Sequence, residues 1–251
     1  MTQAEKAKQF AAFHIKGTPL ILFNAWDAGT AKVIQGAGAK AIATSSWSVA
    51  EAQGYRDGEH IPLSLVEQIV GRITKAVDLP VTVDFEGGYS EDNAVLAKNV
   101  SRLIDLGVIG INFEDRVVQG EGLYPAQRQA QRIAAIRDVA NKQGVEFFIN
   151  ARTDVFFGDG YPEKLVEEAL ERAKAYGSAG ASGFFIPGLT DDALIKRISE
   201  NVSLPVNVMV MDGLSPAKQL AELGVARISY GPIPYIKAMN ALKEEAQASK
   251  A

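Results

Sequence analysis

Residues 81–88 read Val81-Thr82-Val83-Asp84-Phe85-Glu86-Gly87-Gly88, an apolar run that ends in two carboxylates and two glycines. A second segment of this kind reads Ile109-Gly110-Ile111-Asn112-Phe113-Glu114-Asp115. Val and Ile suit a buried β-strand, whereas a bare carboxylate does not, because removing its charge from water is costly. Acidic groups at the point where strands leave a core usually bind a hard cation or move protons. The two segments therefore predict buried strands that lead into a Mg²⁺-assisted site for a small anion.

Strand-like segments recur along the chain, with starts near residues 20, 40, 80, 108, 145, 181, 205 and 225. Several follow a glycine, as at Gly107 and Gly144, which supplies the left-handed cap of a preceding helix. Amphipathic segments fill the gaps, among them residues 63–77, 94–106, 126–143, 161–176 and 217–223, and a last helix is predicted over 236–248. Strands alternating with helices predict a parallel sheet. Eight such units favour an α/β fold of the (β/α)₈ TIM barrel type, with an open doubly wound sheet as the alternative.

No linker-like or low-complexity stretch interrupts the chain, so a single domain over residues 1–251 is expected. The longest non-helical connections are predicted over residues 45–61 and 115–125, each directly after a strand. Long loops in compact domains commonly act as lids or binding loops. Both segments are therefore candidates for covering an active site.

Composition excludes several classes of function. The formal net charge is −4 and no basic run is present, which argues against a nucleic-acid partner. The chain has no cysteine, so a disulfide framework, a thiolate metal site and a cysteine nucleophile are excluded. No apolar stretch approaches the roughly 18 residues of a membrane helix. The charged start of the chain lacks a signal-peptide core, so a cytoplasmic protein without a membrane partner is expected.

Active sites of such barrels form where the strands end. The polar or aromatic candidates at these ends are Asn24, Ser45, Ser46, Trp47, Asp84, Glu86, Asn112, Glu114, Arg152, Asp154, Asn207 and Ser229. Asp84 and Glu86 share one face of a strand because alternate residues point the same way. Mg²⁺ prefers oxygen ligands, usually one or two carboxylates with water. Asp84, Glu86 and Glu114 are therefore the predicted metal site.

The remaining candidates predict how an anion is bound. Arg152 offers a fixed guanidinium that can hold a carboxylate through two hydrogen bonds. Ser45 and Ser46, with nearby backbone N–H groups, can bind an oxyanion, and Asn207 adds an amide. The set suits a 2-oxo acid. Cleavage of a bond at its C3 leaves an enolate, whose charge a metal ion stabilises.

Structural interpretations stand beside these functional ones. Asp84 and Glu86 are residue types that also cap helices or lie in exposed loops. Arg152 and Asp154 lie close enough in sequence to pair with each other in a structural role. Trp47 is of a type that more often packs than contacts substrate.

Seven segments in order carry a resemblance to a known family. They are Asn24-Ala25-Trp26-Asp27, Ser45-Ser46-Trp47-Ser48, Gly54-Tyr55-Arg56-Asp57, Val83-Asp84-Phe85-Glu86-Gly87-Gly88-Tyr89, Gly110-Ile111-Asn112-Phe113-Glu114-Asp115, Ile149-Asn150-Ala151-Arg152-Thr153-Asp154 and Leu223-Gly224-Val225-Ala226-Arg227-Ile228-Ser229. From about Phe10 to Lys237 the chain resembles the isocitrate lyase/phosphoenolpyruvate mutase superfamily.

The resemblance implies a cofactor, a site and an assembly. It implies Mg²⁺, with Mn²⁺ as a substitute, bound by the acids that match the family's metal site, namely Asp84, Glu86 and Glu114. Arg152 corresponds to the substrate-binding arginine, and Ser45, Ser46 and Trp47 fall on the segment that binds the substrate carboxylate and keto oxygen. Asp57 matches an aspartate on a loop that closes near the reaction centre. The resemblance also implies a homodimer or homotetramer in which the last helix is swapped between subunits.

Departures from the family pattern restrict the activity. Isocitrate and methylisocitrate lyases carry a Lys-Lys-Cys-Gly-His loop, whereas residues 116–124 here have no such motif. True isocitrate or methylisocitrate lyase activity is therefore not expected. The same loop lacks the polar set that holds a phosphonate in the mutase. Glu86 stands where several members have aspartate.

The leading hypothesis is a Mg²⁺-dependent lyase, decarboxylase or hydrolase that cleaves a carbon–carbon bond in a small 2-oxo acid, such as an oxaloacetate-like dicarboxylate. Asp57, Glu114 and Arg152 are its predicted catalytic residues. One alternative is carbon–phosphorus chemistry on phosphonopyruvate or a carboxyphosphonate. Another is a barrel that binds a metabolite without turning it over.

Overall fold

The computed structural model describes residues 1–249, and nine parallel strands in that range form one sheet. The strands are β1 (Leu20–Leu22), β2 (Asn24–Ala25), β3 (Ile42–Thr44), β4 (Val81–Asp84), β5 (Gly110–Glu114), β6 (Phe148–Arg152), β7 (Gly183–Phe185), β8 (Val206–Met209) and β9 (Arg227–Ser229). Their order in the sheet is β1-β9-β8-β7-β6-β5-β4-β3-β2. Because Phe23 alone separates β1 from β2, the two act as one interrupted strand between β9 and β3. This nearly closed barrel confirms the predicted (β/α)₈ fold.

Ten helices accompany the strands within the described residues. They are α1 (Gln3–Ala12), α2 (Ala28–Gly36), α3 (Ser46–Ala52), α4 (Leu63–Ala76), α5 (Asn93–Asp105), α6 (Ala126–Lys142), α7 (Pro162–Ser178), α8 (Asp192–Asn201), α9 (Ala217–Glu222) and α10 (Ile233–Ala248), and a 3₁₀ turn covers Val155–Phe157. None of these helices has both the length and the apolar character needed to cross a bilayer.

Helix α5 illustrates how the sequence builds these elements. The Asp92 side chain caps its start by accepting hydrogen bonds from the backbone N–H groups of Ala94 and Val95, each at 2.9 Å. Its buried face includes Leu96, Val100 and Leu103 at helical spacing. The helix therefore begins at a side-chain cap and packs through one apolar stripe against the barrel.

The strands are buried on both sides, which accounts for their apolar runs. All five residues of β5 are buried, because helices cover the outside of the barrel and other strands face its inside. Gly110 is needed for the close approach of β6, since a Cβ there would lie 2.6 Å from the carbonyl oxygen of Phe148. The register places Asp84 beside Asn112 and Asn112 beside Asn150. A polar layer thus crosses the barrel below its carboxyl end.

Helix α1 packs at the amino-terminal end of the barrel. The Gln3 amide donates to the carbonyl oxygens of Ile104 (2.7 Å) and Val108 (2.9 Å). The His14 ring stacks on Phe148, with ring centroids 4.1 Å apart, and its Nδ1 lies 2.8 Å from the Phe10 carbonyl oxygen. These contacts hold α1 against the starts of the strands, opposite the end where the candidate site lies.

One sequence-based prediction about the loops is wrong. Residues 45–61 were expected to be non-helical, but α3 occupies Ser46–Ala52. The Ser45 side chain accepts a hydrogen bond from the backbone N–H of Ser48 and so caps this helix. A serine-rich stretch that resembles a loop in sequence is therefore a capped helix.

The outer face of β1 and one face of α10 remain exposed. Ile21 and Phe23 are each 41% exposed beside a groove of about 530 Å³ that α2 also lines. Pro234 is the only buried residue of α10 among those described, and Leu242 on the same helix is 62% exposed. Both surfaces are apolar where water meets them.

Candidate active site

A cavity of about 170 Å³ opens at the carboxyl ends of the strands. It is lined by residues from almost every strand end, namely Asn24, Ser45, Ser46, Trp47, Asp57, Asp84, Asn112, Arg152, Phe185, Met209, Ser229, Gly231 and Pro232. Six predicted site residues thus meet on one wall: Ser45, Ser46, Trp47, Asp57, Asp84 and Arg152. The volume suits a small ligand, since pockets for drug-sized molecules are usually about 300–1,000 Å³.

Asp84 is the last residue of β4, and its carboxylate is fixed by neighbouring strand ends. One oxygen, Oδ2, accepts hydrogen bonds from the backbone N–H (3.2 Å) and hydroxyl (3.0 Å) of Ser46. The other, Oδ1, accepts from the Asn112 amide at 3.3 Å. The Ser46 donors that were predicted to bind an oxyanion are therefore engaged by Asp84.

Glu86 lies behind this wall in an unusual backbone conformation. Its φ is +49°, in the left-handed region that non-glycine residues seldom adopt, and such strain clusters at functional sites. Its Oε2 accepts a hydrogen bond from the backbone N–H of Glu59 at 2.8 Å. Burial, together with the negative charges of Asp57 and Glu114, raises the pKa of Glu86 to about 9. The charges near the Glu86 carboxyl are therefore mainly negative.

Arg152, the last residue of β6, is held between two carboxylates. Its Nε and Nη2 donate to the two oxygens of Asp154 at 2.6 and 2.9 Å. Its Nη1 lies 3.0 Å from Oε2 of Glu114. Burial raises the pKa of Glu114, although the charge of Arg152 opposes that shift. The Arg152–Asp154 pair expected on structural grounds is thus present within the site itself.

Asp57 reaches the cavity from the segment between α3 and α4. Burial, with the charge of Asp84, raises the pKa of its carboxyl, whereas a hydrogen bond with Ser46 and the charge of Arg152 act in the opposite direction. An aspartate in such surroundings holds a proton more readily than an exposed one. Its position and its chemistry both suit proton transfer in the cavity.

A buried arginine supports the site from below. Arg227 on β9 is fully buried, and its Nη2 donates to Oδ1 of Asn112 at 3.0 Å. The Asn150 amide donates to the same oxygen at 2.9 Å. Since arginine has only donors, Asn112 must present its oxygen to Arg227 and its N–H to Asp84. Arg227 thereby sets the orientation of an amide that holds the Asp84 carboxylate.

Asn207, predicted to bind substrate, lies beneath the cavity wall. Its amide donates to the Ser229 hydroxyl at 3.2 Å, and only 1% of the residue is exposed. Its contribution to substrate binding stays a prediction. Phe185 and Met209 were missed because only polar strand ends and the two tryptophans were considered. Their positions as the last residues of β7 and β8 are the signal that could have found them.

The carboxylates fit a divalent cation. Burial, together with the charge of Asp84, raises the pKa values of Asp57, Glu86 and Glu114, and Arg152 is the cation beside them. Within residues 1–249, no three His, Asp or Glu side chains lie close enough to enclose an ion by themselves. Mg²⁺ usually takes one or two carboxylates and completes its shell with water. Asp84, with Glu86 and Glu114 behind it, matches that donor set.

Tyr235 on α10 connects this helix to the cavity wall. Its ring meets Trp47 edge to face with centroids 5.8 Å apart, and it meets Trp26 in the same way at 5.1 Å. Trp47 therefore packs against α10 while it lines the cavity. Packing and substrate contact, the two roles considered for Trp47 from the sequence, are therefore compatible.

The chain is similar to known proteins over almost its whole length. A family model described as phosphoenolpyruvate phosphomutase matches residues 10–250. A crystal structure from Burkholderia cenocepacia J2315, of a protein provisionally named a phosphonomutase, shares 46% identity with a TM-score of 0.96 and covers 98% of this chain and 99% of that one. The 2-methylisocitrate lyase of Escherichia coli (strain K12) is 29% identical over an alignment that covers 97% of this chain and 84% of the lyase. A phosphonopyruvate hydrolase in complex with oxalate and Mg²⁺ shares 20% identity with a TM-score of 0.86 over 100% of this chain and 88% of that one, a likeness of fold alone.

Proposed function

The chain belongs to the isocitrate lyase/phosphoenolpyruvate mutase superfamily, and from that premise we propose that it is a Mg²⁺-dependent enzyme that cleaves a carbon–carbon bond in a small 2-oxo acid. One observation carries the proposal. Asp57, Asp84 and Arg152 converge on one cavity of about 170 Å³ at the carboxyl end of the barrel. A fold of this kind places its reactive groups at that end.

Asp84, Glu86 and Glu114 would hold the metal, some of them through water, and Mn²⁺ would substitute for Mg²⁺. When bound, the ion supplies Lewis-acid stabilisation of negative charge on the keto oxygen as the bond at C3 breaks. Ser46 and Asn112 fix the Asp84 carboxylate, so this ligand is oriented before any ion arrives. A phosphonopyruvate hydrolase of the same fold forms a complex with oxalate and Mg²⁺, which supports Mg²⁺ as the metal proposed here.

Arg152 binds the substrate carboxylate. Of its five N–H donors, two are bonded to Asp154 and one faces Glu114, which leaves one on Nη1 and one on Nη2. A carboxylate accepts two parallel N–H bonds from such a pair. The acids that hold the guanidinium therefore also fix the direction from which a substrate approaches it.

Asp57 moves the proton. It lines the cavity, and its raised pKa lets it hold a proton more readily than an aspartate with an ordinary pKa. Asp57 first takes the proton of a hydroxyl on C4. As the C3–C4 bond breaks, its electron pair passes to C3 and the keto group as an enolate, and C4 leaves as a carbonyl compound. Asp57 then returns the proton to C3. The product then leaves as a shorter 2-oxo acid.

Isocitrate and 2-methylisocitrate are not proposed as substrates. The chain has no cysteine to act as the proton donor, and Arg116, Val118 and Gln119 face a neighbouring cavity rather than the site. Each of those substrates also carries three carboxylates, whereas the cavity offers Arg152 as its cation. We expect neither glyoxylate from isocitrate nor pyruvate from 2-methylisocitrate.

A coupled assay for pyruvate or oxalate release tests the proposal across a panel of 2-oxo acids, with Mg²⁺ and with a chelator. Turnover should require the metal, and Asp84→Asn should reduce kcat at least about 100-fold, since it removes a metal-site charge. Asp78→Asn, at an exposed aspartate, is the matched control and should leave kcat unchanged. Absence of turnover for every 2-oxo acid would contradict the proposal.

Carbon–phosphorus chemistry is the second candidate, favoured by the provisional name of the 46%-identical Burkholderia protein. A phosphonate needs several donors around its three oxygens. Arg56, Arg116 and His60 are the loop residues that offer such donors, and Arg116 lines a separate cavity with Arg132. Phosphorus NMR on phosphonopyruvate distinguishes the two candidates, because only carbon–phosphorus chemistry changes its phosphorus resonance.

A further inference from the structure

The strand order divides the wall of the cavity into two halves. The polar half consists of residues at the ends of β3 to β6, namely Ser46, Asp84, Asn112 and Arg152. The other half, called the apolar half, follows around the barrel at the ends of β7, β8 and β9 and just after β9. It consists of Phe185, Met209, Ser229, Gly231 and Pro232, and Ser229 is the one polar side chain among these five. A ligand whose carboxylate and keto group lie in the polar half therefore directs its remaining atoms toward the apolar half.

The polar atoms next to the apolar half are already bonded to protein. The backbone N–H groups of Tyr230 and Gly231 both donate to Oδ1 of Asn24, at 3.1 and 2.9 Å. The Ser229 hydroxyl hydrogen bonds with the Asn207 amide. A charged group placed there would lose its water without gaining these donors, and such desolvation is costly.

The positive charge that lines the cavity also lies in its polar half. Of the lysines and arginines among residues 1–249, Arg152 alone lines the cavity. Its donors are shared with Asp154 and Glu114, so it has one carboxylate-binding edge to offer. The Arg152 guanidinium lies 6.0 Å from the centroid of the Phe185 ring, and Arg227 is buried below the cavity, bonded to Asn112 and Ser229. Once the 2-oxo carboxylate occupies the open edge of Arg152, a second carboxylate would find no further lysine or arginine among the described residues that line the cavity.

We propose, resting on the function proposed above, that the substrate is a 4-hydroxy-2-oxo acid with a single carboxylate, whose C4 leaves as a carbonyl compound and carries an uncharged, apolar group that packs against Phe185, Met209 and Pro232. This replaces the oxaloacetate-like dicarboxylate expected from the sequence with a monoanion. The polar half recognises the 2-oxo carboxylate, and the apolar half selects against a second charge.

A matched pair of ligands tests the inference on the unmodified protein. In 4-methyl-2-oxopentanoate, two methyl groups replace the two terminal carboxylate oxygens of oxaloacetate, so the ligands share a shape and differ in charge. Calorimetric titration with Mg²⁺ present should give a Kd at least about tenfold lower for 4-methyl-2-oxopentanoate. Equal or tighter binding of freshly dissolved oxaloacetate would overturn the inference.

A charge placed on the apolar half should reverse this preference. Met209→Lys is expected to favour oxaloacetate by at least about tenfold, because it supplies the missing cation. Met211→Lys adds the same charge two residues further on, where the side chain does not line the cavity, and should keep the original preference. Equal effects of the two variants would overturn the inference.

Pyruvate serves as the reference ligand, since it has the 2-oxo carboxylate and nothing beyond C3. Pyruvate binding combined with a preference for oxaloacetate would overturn this inference and leave the proposed function standing. Failure of pyruvate and of both larger ligands to bind would overturn the proposed function and the inference together.

Discussion

At the scale of single residues, the site depends on charges that hold one another in place. Arg152 is fixed through both oxygens of Asp154, and the backbone N–H of Asp154 donates in turn to Oδ1 of the buried Asp115 at 3.0 Å. Asp115 also accepts from Tyr176 and Arg172, at 2.7 and 3.1 Å. Arg152 on β6, the proposed substrate-binding group, is thus anchored to α7 through a buried carboxylate.

The Asp154→Asn variant tests this anchoring. Asparagine keeps the shape but offers one acceptor oxygen to Arg152, so the guanidinium loses one bond and part of its orientation. We expect kcat/KM to fall by about 10–100-fold, the usual effect of changing a residue that orients a binding group. Steady-state kinetics measure the loss, and thermal unfolding checks the fold. Wild-type kcat/KM in a stable variant would contradict the anchoring role.

His14 makes stability depend on pH. Burial, with the nearby charge of Arg227, lowers the pKa of His14 to about 3. In the unfolded chain its pKa is about 6.5, so below that pH the unfolded state binds a proton that the folded state refuses. The contribution is fully present above about pH 6.5 and decreases as pH falls toward 3. From this residue we expect the free energy of unfolding to be about 2 kcal/mol lower at pH 5 than at pH 7.5.

Urea titrations at the two pH values measure this difference. His14→Phe keeps an aromatic ring against Phe148 and should remove that part of the pH dependence. His60→Phe changes the exposed histidine and serves as the control, with the wild-type dependence expected. An unchanged dependence in His14→Phe would show that His14 is not its source.

At the scale of elements, two helix caps of the same kind differ in their distance from the cavity. Ser45 caps α3 and lines the cavity, whereas Asp92 caps α5 on the exposed surface. Ser45→Ala and Asp92→Ala should each lower the free energy of unfolding by about 1 kcal/mol. Only Ser45→Ala should also reduce kcat/KM, because α3 carries Ser46 to Asp84. Equal kinetics in the two variants would contradict a role for α3 in the site.

The barrel could be predicted from sequence because each unit repeats a local pattern. All eight predicted strand starts lie within three residues of the observed ones, as at 145 against Phe148. Helix α3 was missed because Ser46–Ala52 is short and serine-rich, and its cap is visible only once the chain is folded. The break at Phe23 was also missed, since it arises from pairing with two different strands.

The polar residues of the candidate site could also be predicted from the sequence. The ends of parallel strands meet in space, so polar residues after each strand could be grouped without coordinates. Contacts between loops could not be predicted in this way. The bond from Glu59 to Glu86 joins segments 27 residues apart, and the positive φ of Glu86 has no local sequence signal. The apolar half was overlooked because Phe185 and Met209 resemble ordinary core residues.

At the scale of the whole molecule, two exposed apolar surfaces predict an assembly. In a closed barrel, helices cover the outer faces of the strands. Phe23, which lies between β1 and β2, is nevertheless 41% exposed. Helix α10 exposes Ile236, Met239 and Leu242. Exposed apolar patches of this kind mark interaction sites. We propose that α10 of one copy packs into the groove beside β1 of another, giving the expected homodimer or homotetramer.

Light scattering coupled to size exclusion measures the assembly. Wild-type protein should elute as a dimer or tetramer, and Leu242→Glu or Phe23→Glu should lower the mass toward that of a monomer. Val95→Glu changes an exposed apolar residue on α5 and is the matched control, with no change in mass expected. A monomeric wild-type protein would contradict the proposal.

The contact between Tyr235 and Trp47 has a consequence for how the enzyme behaves in a dilute solution. If α10 is secured by a neighbouring copy, then separating the copies loosens the side of the cavity that Trp47 forms. Specific activity should then decline as the protein is diluted below the dissociation constant of the assembly, and adding an inactive Asp84→Asn protein should restore it. The protein concentration, and not only the substrate concentration, would then determine the specific activity.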